Sequence, residues 1–199
     1  TQGYSSAASD VYKRQVYGNQ DYKDFTEAYT NSSSEHAITI GAGQWYATEA
    51  QRLLKLIHTT SPETYKKYDT KNYVWNDVVN ENWSTYRIKK TSTRAKIIVN
   101  LISSPAGIKC QDELMYEQIE EYETEIRNLG VTDHKAVGEC INIRHQGGYG
   151  SVTRVLGKTK GEYTLDNIYK AMSTDTGNQV GTYKTRQQKV YNWLKTYMK

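Results

Sequence analysis

Between residues 115 and 129 the apolar positions recur at intervals of four and three. Met115, Ile119, Tyr122, Ile126 and Leu129 form one stripe, and Gly130 follows as a stop. That spacing places all five side chains on one face of an α-helix, where one stripe faces a core and the other face meets water. The opposite face carries Asp112, Glu113, Glu117, Glu120, Glu121, Glu123 and Glu125. Seven acids invite a metal or catalytic reading, but their regular placement opposite the stripe fits a solvated face.

The same period governs most of the chain. Ala50, Leu53, Leu54 and Ile57 make a stripe preceded by Thr48, with Gln51 three residues on as a capping-box partner. Ser61-Pro62 opens a short helix, since Pro fits a first turn. Thr91 or Ser92 precedes the stripe Ala95, Ile98, Val99 and Ile102, and Ser104-Pro105-Ala106-Gly107 breaks the chain. Thr132 is placed to cap a helix with Ala136, Val137, Cys140, Ile141 and Arg144 along one side. Thr164 is placed to cap another, with Leu165, Ile168, Tyr169 and Met172. A last helix starts near Lys184 and turns Val190, Trp193, Leu194 and Tyr197 inward. Only residues 36–42, around Ala37-Ile38-Thr39-Ile40, carry a strand signal. The expected class is α+β, predominantly α, with a small β-hairpin near residue 40.

Residues 5–15 resemble translated adapter sequence found at the ends of reading frames assembled from metagenomic reads. Residues 1–15 are therefore set aside as an adapter-derived or disordered arm. Residues 16–199 show no repeat and no internal linker, and 199 residues suit one domain. Mean hydropathy is −0.81, and no run approaches the ~18 apolar residues of a membrane span. Two cysteines, Cys110 and Cys140, exclude a disulfide scaffold and fit buried thiols. His36, His58, His134 and His145 show no metal-ligand spacing, so neither a metal nor a cofactor is expected.

Tyrosine occurs 18 times and tryptophan four times, against one phenylalanine. Rings with a polar handle suit wet surfaces that stack flat ligands such as sugars or bases. Net charge is +4 and uneven. Residues 1–50 hold three Lys/Arg against six Asp/Glu, whereas residues 142–199 hold ten against three. The basic third could approach an anionic polymer. The chain carries no nucleic-acid motif, and its charge asymmetry is modest, so nucleic acid is the weaker choice of partner.

The informative stretch runs from Thr26 to Trp45. Two carboxylates, Glu27 and Glu35, sit in a polar loop that leads into Thr39-Ile40-Gly41-Ala42-Gly43-Gln44-Trp45. Gln44 offers a donor and an acceptor, and Trp45 a stacking face. The segment from Ala37 to Trp45 resembles the Ile-Gly-x-x-Gln segment of the lysozyme-like superfamily, in the Ser-Ile-Gly-x-x-Gln-Trp form of phage-type and clostridial cell-wall hydrolases. Glu49-Ala50-Gln51-Arg52-Leu53-Leu54-Lys55 is similar to the helix that follows it there. Residues 142–148 and 175–186 are also similar to members of this group.

The resemblance implies a lysozyme-like fold and cleavage of the β-1,4 MurNAc–GlcNAc backbone of bacterial peptidoglycan. Such cleavage needs a protonated carboxylic acid at the leaving oxygen and usually a second carboxylate. Relatives often carry the acid in a Glu-Gly-x-Tyr segment. Here that region reads Tyr17-Gly18-Asn19-Gln20-Asp21-Tyr22, with Gln20 near the place of the acid. The acid then falls to Glu27 or Glu35, with nothing to choose between them. Asp21 and Asp24 join the remaining Glu as candidates for the second carboxylate. The resemblance gives Thr39 a role in orienting water. Asp21, Gln44, Trp45, His145 and Tyr149 are expected to line the glycan site. His145-Gln146-Gly147-Gly148-Tyr149-Gly150 reads as a flexible polar turn. The expectation is a monomeric muramidase, secreted or released to the cell wall, that binds peptidoglycan without nucleic acid or membrane insertion. The alternatives are a lytic transglycosylase and a catalytically inactive glycan-binding module.

Overall fold

The structure, a computed structural model, describes residues 20–198. The adapter-like arm 1–15 and residues 16–19 lie outside the described residues. The described residues divide into two compact units, an N-terminal one that ends at Tyr116 and a C-terminal one that starts at Glu117. Nine α-helices, two 3-10 turns and a three-stranded antiparallel sheet are found among the described residues. The class is thus α+β and mostly α. No helix of the described residues is long and apolar enough to cross a membrane.

In the N-terminal unit three two-residue strands, β1 (Phe25–Thr26), β2 (Thr39–Ile40) and β3 (Trp45–Tyr46), pair in the order β1-β2-β3. Phe25 opposes Ile40 and Thr26 opposes Thr39; Thr39 opposes Tyr46 and Ile40 opposes Trp45. The strand signal at residues 36–42 thus becomes the central strand. Every residue from Ala37 to Gly43 is buried, so alternation is absent because both faces are covered.

The β2–β3 turn forces two non-extended residues. Gly41 has φ +73° and Gln44 φ +52°. A Cβ on Gly41 would lie 2.4 Å from the Gln111 side-chain oxygen. One on Gly43 would lie 2.6 Å from the Trp45 ring and 2.8 Å from Met115 Cε. At Gly41 the left-handed φ and the Gln111 side chain leave no room for a methyl, and at Gly43 the Trp45 indole fills that space.

Helix α1 (Thr48–Thr60) buries the stripe Ala50, Leu53, Leu54 and Ile57. Its capping box does not form. Ala47 is the N-cap, and Gln51 instead donates from Nε2 to the Val78 carbonyl at 2.6 Å. Helix α2 (Pro62–Tyr68) has Pro62 in its first turn as expected. Helix α3 (Tyr73–Asn80) carried no sequence signal strong enough to be read. Helix α4 (Thr93–Ser103) is capped by Ser92, whose Oγ accepts from the Ala95 N–H. The break at 104–107 is only a corner. Ser104 ends one helix, and Pro105 starts α5 (Pro105–Asn128), whose residues 117–128 belong to the C-terminal unit.

The C-terminal unit is built on α6 (His134–Gly147), where every residue from Ala136 to Ile143 is buried. A helix covered all round is a central one, and α7 (Tyr149–Lys158), α8 (Leu165–Ser173) and α9 (Lys184–Tyr197) pack on it. Asp133, not Thr132, caps α6, its Oδ1 accepting from the Ala136 N–H at 2.8 Å. Thr164 caps α8 as its sequence indicated. Val190 and Leu194 face inward from α9, but Tyr197 is 68% exposed and does not. The stretch 145–150 is no flexible turn. Gly148, at φ +77°, joins α6 directly to α7. Cys110 and Cys140 are buried free thiols.

Of the seven acids on α5, several are engaged. Asp112 accepts from the Tyr22 hydroxyl at 2.9 Å, Glu123 pairs with Arg127, and Glu125 takes a two-pronged contact from Arg144.

Candidate functional site

Glu27 and Glu35 stand at the two ends of one turn in the N-terminal unit. The chain leaves β1 and folds back at once. The Thr30 N–H donates to the Glu27 carbonyl at 3.3 Å, and the Tyr29 N–H donates to the Glu35 carbonyl at 2.8 Å. Ser32 closes the tip, accepting at its carbonyl from the Glu35 N–H and at its hydroxyl from the Ser34 N–H. A run of Thr, Asn and Ser supplies side chains that bond their own backbone, which favours such a turn over strand or helix.

The two carboxyls meet opposite environments. Glu27 faces the segment that follows Tyr86. The Lys90 backbone N–H donates to its Oε1 at 2.8 Å, and the Lys89 ammonium reaches Oε2 at 3.3 Å. The Lys90 N–H, and after it the Lys89 side chain, hold this carboxyl below the usual glutamate range. Glu27 is an anion. Glu35 carries no ion pair among the described residues. Its Oε2 is shielded from water and has no hydrogen-bond partner. A buried oxygen without a hydrogen-bond partner is costly.

Tyr29 is presented between them. Its backbone is left-handed, with φ +64°, and its ring is 46% exposed. A tyrosine held in that region costs of order 1 kcal/mol. The hydroxyl accepts from Arg87 Nη1 at 3.0 Å and lies 3.2 Å from His36 Nδ1. The Arg87 guanidinium sits 5.7 Å over the ring, and the His36 ring meets it edge-on at 5.4 Å. Glu27, Tyr29, Arg87 and Lys89 line a cleft of about 220 Å³. The His36 N–H donates to the Tyr46 hydroxyl at 2.9 Å, and the Ile38 N–H donates to the Tyr86 carbonyl at 3.0 Å. These bonds tie the turn to β3 and to the 86–90 segment.

The other residues singled out in the sequence divide. Thr39 is buried in β2. Asp21 is exposed in the turn before β1, where its Oδ1 accepts from the Lys23 N–H at 3.1 Å. Gln44 spends its amide on the local backbone, Nε2 donating to the Gly41 carbonyl at 3.0 Å. Trp45 is 2% exposed over Gly41 and Gly43. Its expected stacking face is corrected by this burial, because a covered indole has no face left for a sugar. His145 is half-buried in the last turn of α6, and Tyr149 is 47% exposed at the start of α7, both in the C-terminal unit. Gln20 is exposed.

Sequence reasoning passed over Tyr29, Arg87, Lys89 and Lys90. The only trace was the basic run Arg87-Ile88-Lys89-Lys90, whose partner lies about sixty residues earlier, beyond any local pattern. No protein-family model, curated protein or solved structure matches this chain.

Proposed function

We propose that this chain is a lysozyme-like glycosidase that cleaves the β-1,4 MurNAc–GlcNAc backbone of bacterial peptidoglycan, with Glu35 as general acid. The observation that carries the reading is the pair of glutamates in one turn, one held as an anion and the other with an unpartnered, shielded oxygen. Glycoside cleavage asks for such a division, a protonated acid at the leaving oxygen and an ionised carboxylate for the oxocarbenium-like centre or the attacking water.

Glu35 donates its proton to the glycosidic oxygen as the C–O bond breaks. The departing sugar thereby leaves as an alcohol. Glu27, fixed by Lys89 and Lys90, stays charged and stabilises the positive anomeric carbon. Water adds there, its released proton restores the Glu35 acid, and the product has a free reducing end. The resemblance assigns Thr39 to orienting that water, but Thr39 is buried in β2. The exposed Tyr29 ring takes the sugar-stacking part first given to Trp45, because an apolar ring face covers the C–H face of a pyranose. The protein acts as a monomer on the cell wall to which it is secreted or released, and neither metal nor cofactor enters this scheme.

A second reading, the lytic transglycosylase, is favoured by the engagement of Glu27 with Lys89 and Lys90. A carboxylate so occupied is a weaker base for water, and attack by the sugar's own 6-hydroxyl would give a 1,6-anhydro end. Product analysis decides. Purified peptidoglycan is digested and the soluble fragments are read by mass spectrometry, with Glu35→Gln and Glu27→Gln alongside. Reducing MurNAc ends that fall by about 10²–10⁴-fold in Glu35→Gln are expected, the range typical of a general acid. Anhydro ends identify the transglycosylase. Retention on the insoluble wall with no fragments from the unaltered chain identifies a glycan-binding module.

A further inference from the structure

The C-terminal unit has a cleft of about 640 Å³ between α8, the 3-10 turn Gly177–Thr182 and α9. That volume lies within the range of small-ligand sites. Its walls include Tyr169, Lys184, Gln187, Gln188, Lys189 and Asn192, and no carboxylate lines it. Lys184 and Lys189 are exposed and make no ion pair among the described residues.

The floor is built, not incidental. Gln187 is 2% exposed. Its Oε1 accepts from Asn142 Nδ2 at 2.7 Å, and its Nε2 donates to Gln146 Oε1 at 2.7 Å and to the Val180 carbonyl at 2.9 Å. Arg186 donates from Nε and Nη2 to Asn142 Oδ1 at 3.3 and 3.2 Å. Asn142 also donates to Oε1 of the fully buried Glu139 at 3.3 Å, and Glu139 Oε2 has no partner. An apolar core of the same shape would be cheaper than this network. Polar groups kept at that cost beneath an open cleft are a sign of a binding floor. On the wall, the Tyr169 hydroxyl donates to Gln188 Oε1 at 2.8 Å, which orients both groups.

We infer that this cleft binds a short stretch of carboxylate-bearing glycan, the two lysines taking the acidic substituents and the ring and amides taking the sugars. The inference rests on the glycosidase reading for the choice of glycan, and it deepens that reading by giving the chain a second hold on its substrate. Amides match sugar hydroxyls as paired donors and acceptors. The two ammoniums favour an anionic chain over a neutral one. Glu139 lies behind Asn142 and Gln187, so the cleft binds and does not cut.

The test uses the full chain carrying Glu35→Gln, so that no wall is digested. Binding to peptidoglycan stripped of teichoic acid, and titration with a soluble disaccharide muropeptide, are compared with the same chain bearing Lys184→Glu and Lys189→Glu. Charge reversal is expected to weaken both by about tenfold at low salt, and Lys184→Arg with Lys189→Arg to restore them. Neutral chitotetraose should bind more weakly and ignore the reversal. Unchanged muropeptide binding in the reversed variant, with an unaltered circular dichroism spectrum, overturns the inference. So does a single-stranded oligonucleotide that competes as well as the muropeptide. Because the probe chain lacks the Glu35 acid, a failed product analysis leaves lysine-dependent binding standing. Fragment release together with lysine-independent binding removes the cleft and spares the glycosidase reading.

Discussion

Replacing Glu139 by glutamine should stabilise the protein increasingly as pH rises. Glu139 is completely buried in α6, and Asn142 Nδ2 donates to it at 3.3 Å. Burial, only partly offset by Asn142 and the Arg186 charge, pushes its carboxyl up to about 8 from the ordinary 4.5. Between those values the unfolded chain has lost this proton and the folded chain keeps it. The folded state binds more protons, so stability falls with rising pH by about 1.4 kcal/mol per unit. From the lower value to pH 7 this one group costs about 3 kcal/mol. The amide of the Glu139→Gln variant does not titrate over that interval. It adds a cost of its own beside the unpartnered oxygen, but that cost is the same at every pH. The gap between wild type and Glu139→Gln should therefore widen by about 3 kcal/mol as pH is raised from the ordinary glutamate value to neutrality. For a chain of this size that is a relative shift of about 6–12 °C in Tm. The assay is urea unfolding followed by circular dichroism at half-unit pH steps. Parallel stability curves for the two proteins would refute the argument, because they would mean that Glu139 titrates alike in both states.

Other substitutions test other links. Gly43→Ala places a methyl 2.6 Å from the Trp45 ring and 2.8 Å from Met115 Cε, and should destabilise by about 1–3 kcal/mol in denaturant titration. Tyr29→Gly relieves the left-handed backbone, so stability should hold or rise by up to about 1 kcal/mol. Affinity for peptidoglycan fragments should meanwhile fall several-fold in isothermal titration; equal loss of both would make Tyr29 merely structural. Asp175 is buried between Arg154 and Lys158, which hold its carboxyl down at about 2. Its contribution is full above the ordinary aspartate value and is lost as pH falls through about 2. Asp175→Asn should accordingly cost about 2 kcal/mol at neutral pH and little once the pH falls below that folded-state value, read from Tm against pH.

The elements that were legible in the sequence are those whose cause is local. The stripe Ala50, Leu53, Leu54 and Ile57 is buried residue for residue, and Pro62, Ser92 and Thr164 mark helix starts where their chemistry says they should. Thr48 with Gln51 had the right pattern and failed, because Ala47 is the N-cap and Thr48 already lies in the first turn, while the Gln51 amide reaches across to the Val78 carbonyl of α3. Helix α7 was hidden by glycines that read as a loop, whereas Gly148 alone makes the corner. Trp45 was misplaced for a nonlocal reason. The space its indole fills is bounded by Met115 and by the two turn glycines, and no window around residue 45 contains Met115. Of the site, the pair Glu27 and Glu35 was legible as a pair. The difference between them was not, since the groups that ionise Glu27 come from Lys89 and Lys90.

Three glutamates therefore have three fates, and none follows from residue type. Glu27 meets an ammonium and a backbone N–H in the open, and it stays charged. Glu139 is sealed from water, which outweighs the Arg186 charge and the Asn142 hydrogen bond, so it keeps its proton, but it sits beneath Gln187 and Asn142, where no substrate oxygen can come within hydrogen-bond reach. A raised proton affinity alone does not make a general acid, because proton transfer also needs contact. Glu35 is only half-buried, so its carboxyl group can be reached, although its unpartnered oxygen, Oε2, is itself shielded. It also stands in the same turn as an anionic carboxylate and an exposed, strained tyrosine. Reach, a free oxygen and a charged neighbour together single out Glu35. The neutral, sealed Glu139 fails on the first of these and the ionised Glu27 on the second.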